Sequence, residues 1–355
     1  MFDRLGMKGK LLCMGVALTL TPLLIVAVIV YRQNIEMTGL AGDRTLELSQ
    51  KGLDDIGQGV YSMCLAQQQL LEQNVAATLN VARSELKRTG EVSFGEETVA
   101  WQAVNQATQA TSTVQLPKMF VGETWLGQNR DPATASPVVD AVTSQVGGTC
   151  TIFQRMNDAG DMLRVCTNVQ TKDKTRAIGT YIPAVGTDGK PSPVIAAVLR
   201  GEKFTGRAFV VDQWYITAYE PIFDAQKKVV GMLYAGVKQE SAAALRQQIM
   251  KVKVGQTGYV YVLDSKGTYI VSKDGKRDGE VIWDAKDANG RPFIQEVCKA
   301  ATALGEGEIT TVRYDWKNPE DPVARTKIVR VIYFKPWDWI IGVGSYEDEF
   351  LQARN

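Results

Sequence analysis

Thr151-Ile152-Phe153-Gln154-Arg155, the turn Asn157-Asp158-Ala159-Gly160 and Met162-Leu163-Arg164-Val165-Cys166 read as two β-strands joined in a hairpin. The same plan returns at Tyr259-Val260-Tyr261-Val262-Leu263, Asp264-Ser265-Lys266-Gly267 and Thr268-Tyr269-Ile270-Val271. Both strand pairs are rich in β-branched and aromatic residues. Both turns end on glycine, the residue that adopts positive φ at least cost. A loop-and-helix region and a closing hairpin follow each pair. The closing strands are Tyr215 to Pro221 with Val229 to Gly236, and Ile328 to Lys335 with Trp337 to Gly344. The expected fold class is therefore α+β, with two antiparallel sheets in tandem, each covered on one face by helices and loops.

Upstream of these sheets the texture is different. Arg32 to about Arg88 is polar, free of proline and rich in Gln, Leu, Glu and Ala. Leu65, Leu70, Leu71, Val75 and Leu79 recur near helical spacing, which predicts a long amphipathic helix. Continuous, it would reach about 80 Å at about 1.5 Å per residue. Residues 32–110 are assigned to this stalk and dimerisation helix region, and a homodimer is expected. Leu11 to Tyr31 carries no charge and is long enough for about 30 Å of hydrocarbon. Arg4, Lys8 and Lys10 precede it. The segment 11–31 is accordingly expected to be a transmembrane helix, with residues 1–10 cytoplasmic and the rest outside, in the periplasm or beyond the cell. No small-x-small site follows Tyr31, which disfavours a cleaved signal peptide. No second apolar span precedes Asn355, so the chain is expected to stop short of a returning helix.

Composition narrows the chemistry. Among 355 residues there is no histidine, which excludes Ser-His-Asp and Cys-His nucleophiles, H-E-x-x-H zinc sites and the phosphoacceptor of a histidine kinase. Lys+Arg 40 against Asp+Glu 39, without a basic run, argues against nucleic acid as a partner. Asp264, Asp284, Asp287 and Asn289 lack the rhythm of a calcium loop and read as turn chemistry. No metal, cofactor or enzymatic activity is expected.

Two groups of residues then carry a resemblance. Gly147 to Arg155, Leu163 to Val169, Arg176 to Thr180, Gly206-Arg207-Ala208 and Tyr219 to Ile222 look like a Cache 3 sensor module. Gly258 to Asp264, Lys286 to Gly290 and Trp337 to Tyr346 resemble Cache 2. Together they resemble the Cache 3/Cache 2 fusion of methyl-accepting chemotaxis receptors over roughly 32–350. The resemblance implies PAS-like (double Cache) modules, a membrane-distal one over 111–245 and a membrane-proximal one over 246–350. It also implies a small organic ligand and a cytoplasmic signalling module outside this chain. The His-Pro pair that many Cache 2 modules carry after the second strand is absent; Val271-Ser272-Lys273-Asp274-Gly275 stands there.

A small carboxylate in a dry pocket needs a cationic clamp, a few donors and aromatic walls. In the distal module Arg164, Thr167, Arg176, Arg207, Trp214, Tyr215 and Tyr219 are the candidates, with Thr180 as a further hydroxyl. Tyr259, Tyr261, Tyr269, Lys273 and Trp283 are candidates for a second, smaller pocket. Cys150 and Cys166 flank the first hairpin turn almost symmetrically and are expected to form a disulfide if the strand register sets them face to face. The functional expectation is the ligand-sensing region of a chemoreceptor that signals across the membrane. The alternatives are the input domain of a sensor kinase or cyclic-dinucleotide synthase, or a membrane-anchored binding module without output.

Overall fold

The computed structural model describes residues 7–211, 213–239, 243–318 and 321–352, with side chains for all of these except 7–23, 34–43, 45, 46, 351 and 352. The first element is helix α1, Met7–Thr89, 83 residues long. Leu53, Val60, Cys64, Leu71, Val75, Leu79 and Ala82 form its buried stripe, spaced by three, four or seven residues. Lys87 and Arg88 lie in its last turn, where cations suit the helix dipole. Gly90, at φ 141, ends it.

The chain divides into two compact units, residues 62–247 and residues 1–61 with 248–355. In the first, α1 is followed by β1 (Val92–Asn105), β2 (Thr111–Val121), β3 (Thr124–Trp125), α2 (Val139–Val146), β4 (Thr149–Arg155), β5 (Met162–Thr167), β6 (Thr180–Ile182), α3 (Pro193–Leu199), β7 (Phe204–Val210), β8 (Gln213–Phe223) and β9 (Val229–Lys238). The sheet order is β3-β2-β1-β6-β5-β4-β9-β8-β7. Its neighbours are antiparallel except β1 with β6. The helical region expected as far as residue 110 gives way here to β1, because a β-branched and aromatic run, Thr98-Val99-Ala100-Trp101, follows the glycine stop.

Helix α4 (Ala243–Lys251) leads into the second sheet. Its elements are β10 (Lys253–Val254), β11 (Gly258–Leu263), β12 (Tyr269–Val271), α5 (Phe293–Thr302), β13 (Ile309–Trp316), β14 (Arg325–Phe334), β15 (Trp339–Tyr346) and α6 (Glu347–Gln352). The order is β10-β11-β15-β14-β13, with β12 paired to Val262 and Leu263 at the far end of β11. Helix α5 lays Phe293, Ile294, Val297, Cys298 and Ala301 on this sheet. Trp337 and Trp339, edge to face at 4.7 Å, pack the last hairpin. Gly160 (φ 98) and Gly267 (φ 77) occupy the left-handed positions that both first hairpins require.

Two expectations are corrected. Among the described residues no helix is long and apolar enough to cross a membrane, so the transmembrane helix placed over 11–31 does not belong to the fold as the structure supports it. The apolar run with described side chains extends only from Leu24 to Tyr31, about 12 Å of helix against about 30 Å of hydrocarbon. The side chains of residues 11–23, like residues 1–6 of the segment expected to be cytoplasmic, lie outside the described residues. The second correction concerns Cys150 and Cys166, which are free thiols. In the β4–β5 register Cys166 faces Ile152 and Thr167 faces Thr151. Cys150 therefore stands diagonally from Cys166, a spacing of about 7–8 Å across strands that a disulfide does not bridge. Burial pushes the Cys166 thiol up to about 12 and Cys150 well above its ordinary value.

Candidate functional site: buried cations walled by tyrosines

Arg164 sits in the middle of β5, with β4 and β6 on either side, and is 1% exposed. Its cross-strand partner is Phe153, and the guanidinium lies 5.0 Å from the centre of that ring. Beyond Phe153, Tyr219 of β8 and Tyr234 of β9 face one another with ring centres 5.1 Å apart, and Phe153 and Tyr219 are 6.4 Å apart. Tyr215, two turns of the pleat before Tyr219, completes the aromatic side. Met232, Val194, Ile195 and Val198 close the cluster with apolar surface.

What matters is how little of Arg164 is satisfied. Among the described residues its side-chain hydrogen bonding consists of one contact, Nη1 to the Thr180 hydroxyl, and Nε is buried without a partner. Burial holds the guanidinium below its usual range, offset in part by Tyr219, Tyr234 and Tyr215; an arginine nevertheless stays charged. A buried cation is ordinarily paired. This one faces phenols instead, and burial pushes Tyr219 up to about 12 and Tyr234 well above its ordinary value, so those two phenols stay neutral.

The other candidates are distributed differently. Arg176 is saturated. Its guanidinium grips both oxygens of Asp140 on α2 at 2.8 and 2.9 Å and donates to the carbonyls of Asp131, Pro132, Thr134 and Thr167. That is a loop clamp, with no donor left for a guest. The Thr167 hydroxyl is bound to Thr151 at 2.6 Å and accepts from the Val169 amide. Arg207 stacks 3.8 Å over Trp214 and donates to Gln239, and Trp214 is 43% exposed. This pair decorates the outside of the β7–β8 edge and does not join Arg164. Of the distal set, then, Arg164, Tyr215 and Tyr219 converge, with Thr180; Phe153 and Tyr234 were missed. The signal for Tyr234 lay in the alternation of β9, which places it with Met232 on one face.

Open clefts of this unit, about 380 Å³ beside Gln115, Asp158 and Asp224 and about 480 Å³ beside Gln106, Asp188 and Lys190, are not lined by Arg164. They are surface troughs without a buried charge, and the buried guanidinium with its Nε unpartnered is the sharper mark of a site.

In the 248–355 unit Tyr259, Tyr261 and Tyr269 stand in sequence, neighbouring ring centres 6.4 Å apart. Lys273 lies 5.6 Å from the Tyr259 ring, and Trp283 packs at the cluster's margin. The tyrosine ladder is possible because β15 offers Gly342 opposite Tyr261 and Gly344 opposite Tyr259. Any Cβ on Gly342 would overlap the Tyr261 ring. The residue missed is Lys327 of β14, 1% exposed, whose ammonium lies 3.5 Å from the Tyr259 ring centre. The expected turn roles hold nearby: Asp264 accepts from the amides of Lys266 and Thr268, and Asp287 from those of Asn289 and Arg291.

A long helix leading into two sheet-rich modules with buried, aromatic-walled cations defines a small-molecule sensor domain. The Cache 3/Cache 2 fusion domain matches residues 41–355, and the chain belongs to that family. It is 29% identical over 140 residues to the sensor histidine kinase MctS of Rhizobium johnstonii, covering 39% of this chain and 28% of that protein. It is 28% identical over 124 residues to the methyl-accepting chemotaxis protein McpP of Pseudomonas putida, covering 34% of this chain and 22% of that one. The chain thus spans less than a third of either relative. Among solved structures, a Cache chemosensory domain described in terms of carboxylic acid recognition is 26% identical over 32% of this chain and 76% of that one, with a TM-score of 0.29.

Proposed function

We propose that this Cache sensor domain binds a small organic carboxylate at Arg164 and passes the bound state to an output module outside this chain, by binding and without catalysis. The observation that carries the reading is the Arg164 guanidinium, buried among Phe153, Tyr215, Tyr219 and Tyr234 with Nε unpartnered. A carboxylate supplies what is missing there: two oxygens that match the planar fork, and a charge that compensates the buried cation. The rings and Met232 accept an apolar tail. The tyrosine hydroxyls that face Arg164 are suited to donate to the same oxygens. The domain faces the periplasm or the outside in this reading, and α1 offers a surface for a second copy.

The output is a chemotaxis or a kinase module, since similar proteins of both kinds match part of this chain. A ligand shifts such a system only by its differential affinity for two arrangements. The test is isothermal titration of the full chain with straight-chain and hydroxy monocarboxylates, for the natural chain and Arg164→Met. Binding by the first and its loss at that site in the folded second support the reading; unchanged binding in Arg164→Met removes it.

A further inference from the structure

The β1–β2 hairpin lies outside the Arg164 cluster, but its turn reaches the rim. In the sheet order β1 and β7 stand six strand steps apart, which in a flat sheet would separate them by about 29 Å. The Gln106 side chain, in the turn after β1, nevertheless donates from Nε2 to the Phe209 carbonyl of β7 at 2.6 Å. The Gln106 amide donates to the Tyr181 carbonyl of β6 at 3.0 Å. The sheet is therefore coiled until β6 and β7 approach at one end. The connection between them, residues 183–192 and then α3, covers the enclosed face, with Val194, Ile195 and Val198 in its core.

The cleft of about 480 Å³ opens at this junction, between Gln106, Phe209 and the 183–192 segment, and Ile182 lines it. On β6 side chains alternate, so Ile182 shares a face with Thr180, whose hydroxyl accepts from the Arg164 guanidinium. Ile182 also packs against the aromatic cluster around Arg164. It thus touches the open cleft on one side and the buried cluster on the other, one pleat repeat, about 7 Å, from Thr180. The walls of the cleft differ in firmness. In the 183–192 segment the Gly186 amide donates to the Lys190 carbonyl and the Ser192 amide to that of Ala184, both at 2.8 Å. Pro183, Pro191 and Pro193 fix its φ angles. The facing wall is poorly held. Among the described residues Gln106 Oε1 is buried without a partner, as is Oε1 of Gln213, which pairs with Val210 across the β7–β8 hairpin. Gln109 and Val211, in the turns after β1 and after β7, sit at φ 62 and φ 60, a region that a β-branched residue enters only under strain.

We propose that this junction is the entrance to the Arg164 site, with the 105–110 turn and the Ile182 side chain forming a gate that opens against the proline-stiffened 183–192 segment to admit a guest. The inference rests on the reading of Arg164 as an anion site and supplies the route to a group that is 1% exposed. The closed state is easily undone. It keeps one hydrogen bond from Gln106 at the expense of a buried, unpaired acceptor on the same amide. Opening lets the Gln106 and Gln213 acceptors reach water. Since Gln106 and Ile182 stand at the rim and Arg164 holds the guest, the gate sets how fast a guest enters and leaves more than how tightly it is bound.

Access is measured without any acid. Met232→Cys places a thiol inside the enclosed cluster, opposite Phe153. The full chain carrying it is treated with methyl methanethiosulfonate, and modification at position 232 and at the native Cys166 is followed by peptide mass analysis. Cys166 is buried in the same unit, against the Pro137 carbonyl, and reports loosening of the unit as a whole. Ile182→Ala and, separately, Gln106→Ala should raise the rate at 232 at least about tenfold and leave the rate at Cys166 unchanged. Ile182→Val should fall between, and it reads the gate if Ile182→Ala does not fold. A rate at 232 that none of these variants moves, or a rise matched at Cys166, overturns the gate. In a second arm propionate and pyruvate are the probes. An acid that binds should associate and dissociate faster in Ile182→Ala, with its dissociation constant kept within about threefold. Access at 232 that responds as expected, with neither acid bound, would uphold the entrance and remove the guest at Arg164. Binding lost in Arg164→Met, with access at 232 unmoved by Ile182→Ala and Gln106→Ala, would do the reverse.

Discussion

Arg164 and Phe153 stand directly opposite on β5 and β4, with the guanidinium 5.0 Å from the ring centre and, among the described residues, no carboxylate paired to it. A cation placed against a ring in the middle of a sheet is an unfavourable way to fill a core. Its removal in favour of an apolar side chain of similar length should therefore not harm the fold. Arg164→Met is expected to unfold at the same temperature as the natural chain or higher, and to lose the thermal shift given by the acid that binds there. Arg164→Lys should retain the fold and lose at least about tenfold in affinity, since the bidentate fork is gone. Differential scanning fluorimetry with and without acid reads both.

Arg176 should behave in the opposite way. It is 3% exposed and joins α2, through Asp140, to three carbonyls of the loop before it and to the Thr167 carbonyl of β5. Arg176→Ala leaves those acceptors unpaired and should cost about 2–4 kcal/mol. Urea unfolding measures it; a variant as stable as the natural chain would show that the clamp is incidental.

How much of this was legible in the sequence depends on how local each signal was. The two first hairpins were legible because β-branched alternation and a terminal glycine are local signals, and α1 was legible as far as Arg88 for the same reason. Strand β1 was not, since its membership of the sheet rests on pairing with β2 and with the distant β6. Arg164 and Arg176 look alike in sequence; only the position of Asp140, 36 residues upstream, separates a satisfied arginine from an unsatisfied one. Lys327 was hidden because a lysine on a strand is usually solvated, and its burial follows from glycines on the neighbouring strand. The pairing of Cys150 and Cys166 failed on a two-residue offset that spacing does not encode.

Those glycines give a further expectation. Gly342→Ala places a methyl group against the rigid Tyr261 ring. It should cost about 2 kcal/mol, and Tyr261→Ala in the same chain should recover part of the loss from overlap. A double-mutant cycle by urea unfolding tests the coupling; additive effects would contradict it.

The buried lysine predicts a pH dependence. In the folded chain Lys327 lies well below its ordinary value, so over the window between that depressed value and about 10.4 the unfolded chain binds more protons. Stability from this residue therefore rises with pH across that window and is lost as pH falls through the folded value. Lys327→Met should flatten the rise. Melting midpoints from neutral to mildly alkaline pH compare the two slopes, and identical slopes would mean that Lys327 is charged when folded.

The thiols give a direct check on the register of β4 and β5. Alkylation in denaturant without reductant, followed by peptide mass analysis, should find Cys150 and Cys166 each modified, as free thiols at diagonal positions require. A 150–166 cross-linked peptide would mean that the strands are paired otherwise.

The Arg164 guanidinium, buried with its Nε unpartnered, is where an anion is expected. The most direct measurement is the melting midpoint of the full chain and of Arg164→Met against a panel of small organic acids. An acid at a hundredfold excess over its dissociation constant should stabilise the natural chain by about 2.7 kcal/mol, and the same acid should leave that contribution absent in a folded Arg164→Met. Equal stabilisation of both chains by every acid that binds would contradict the assignment.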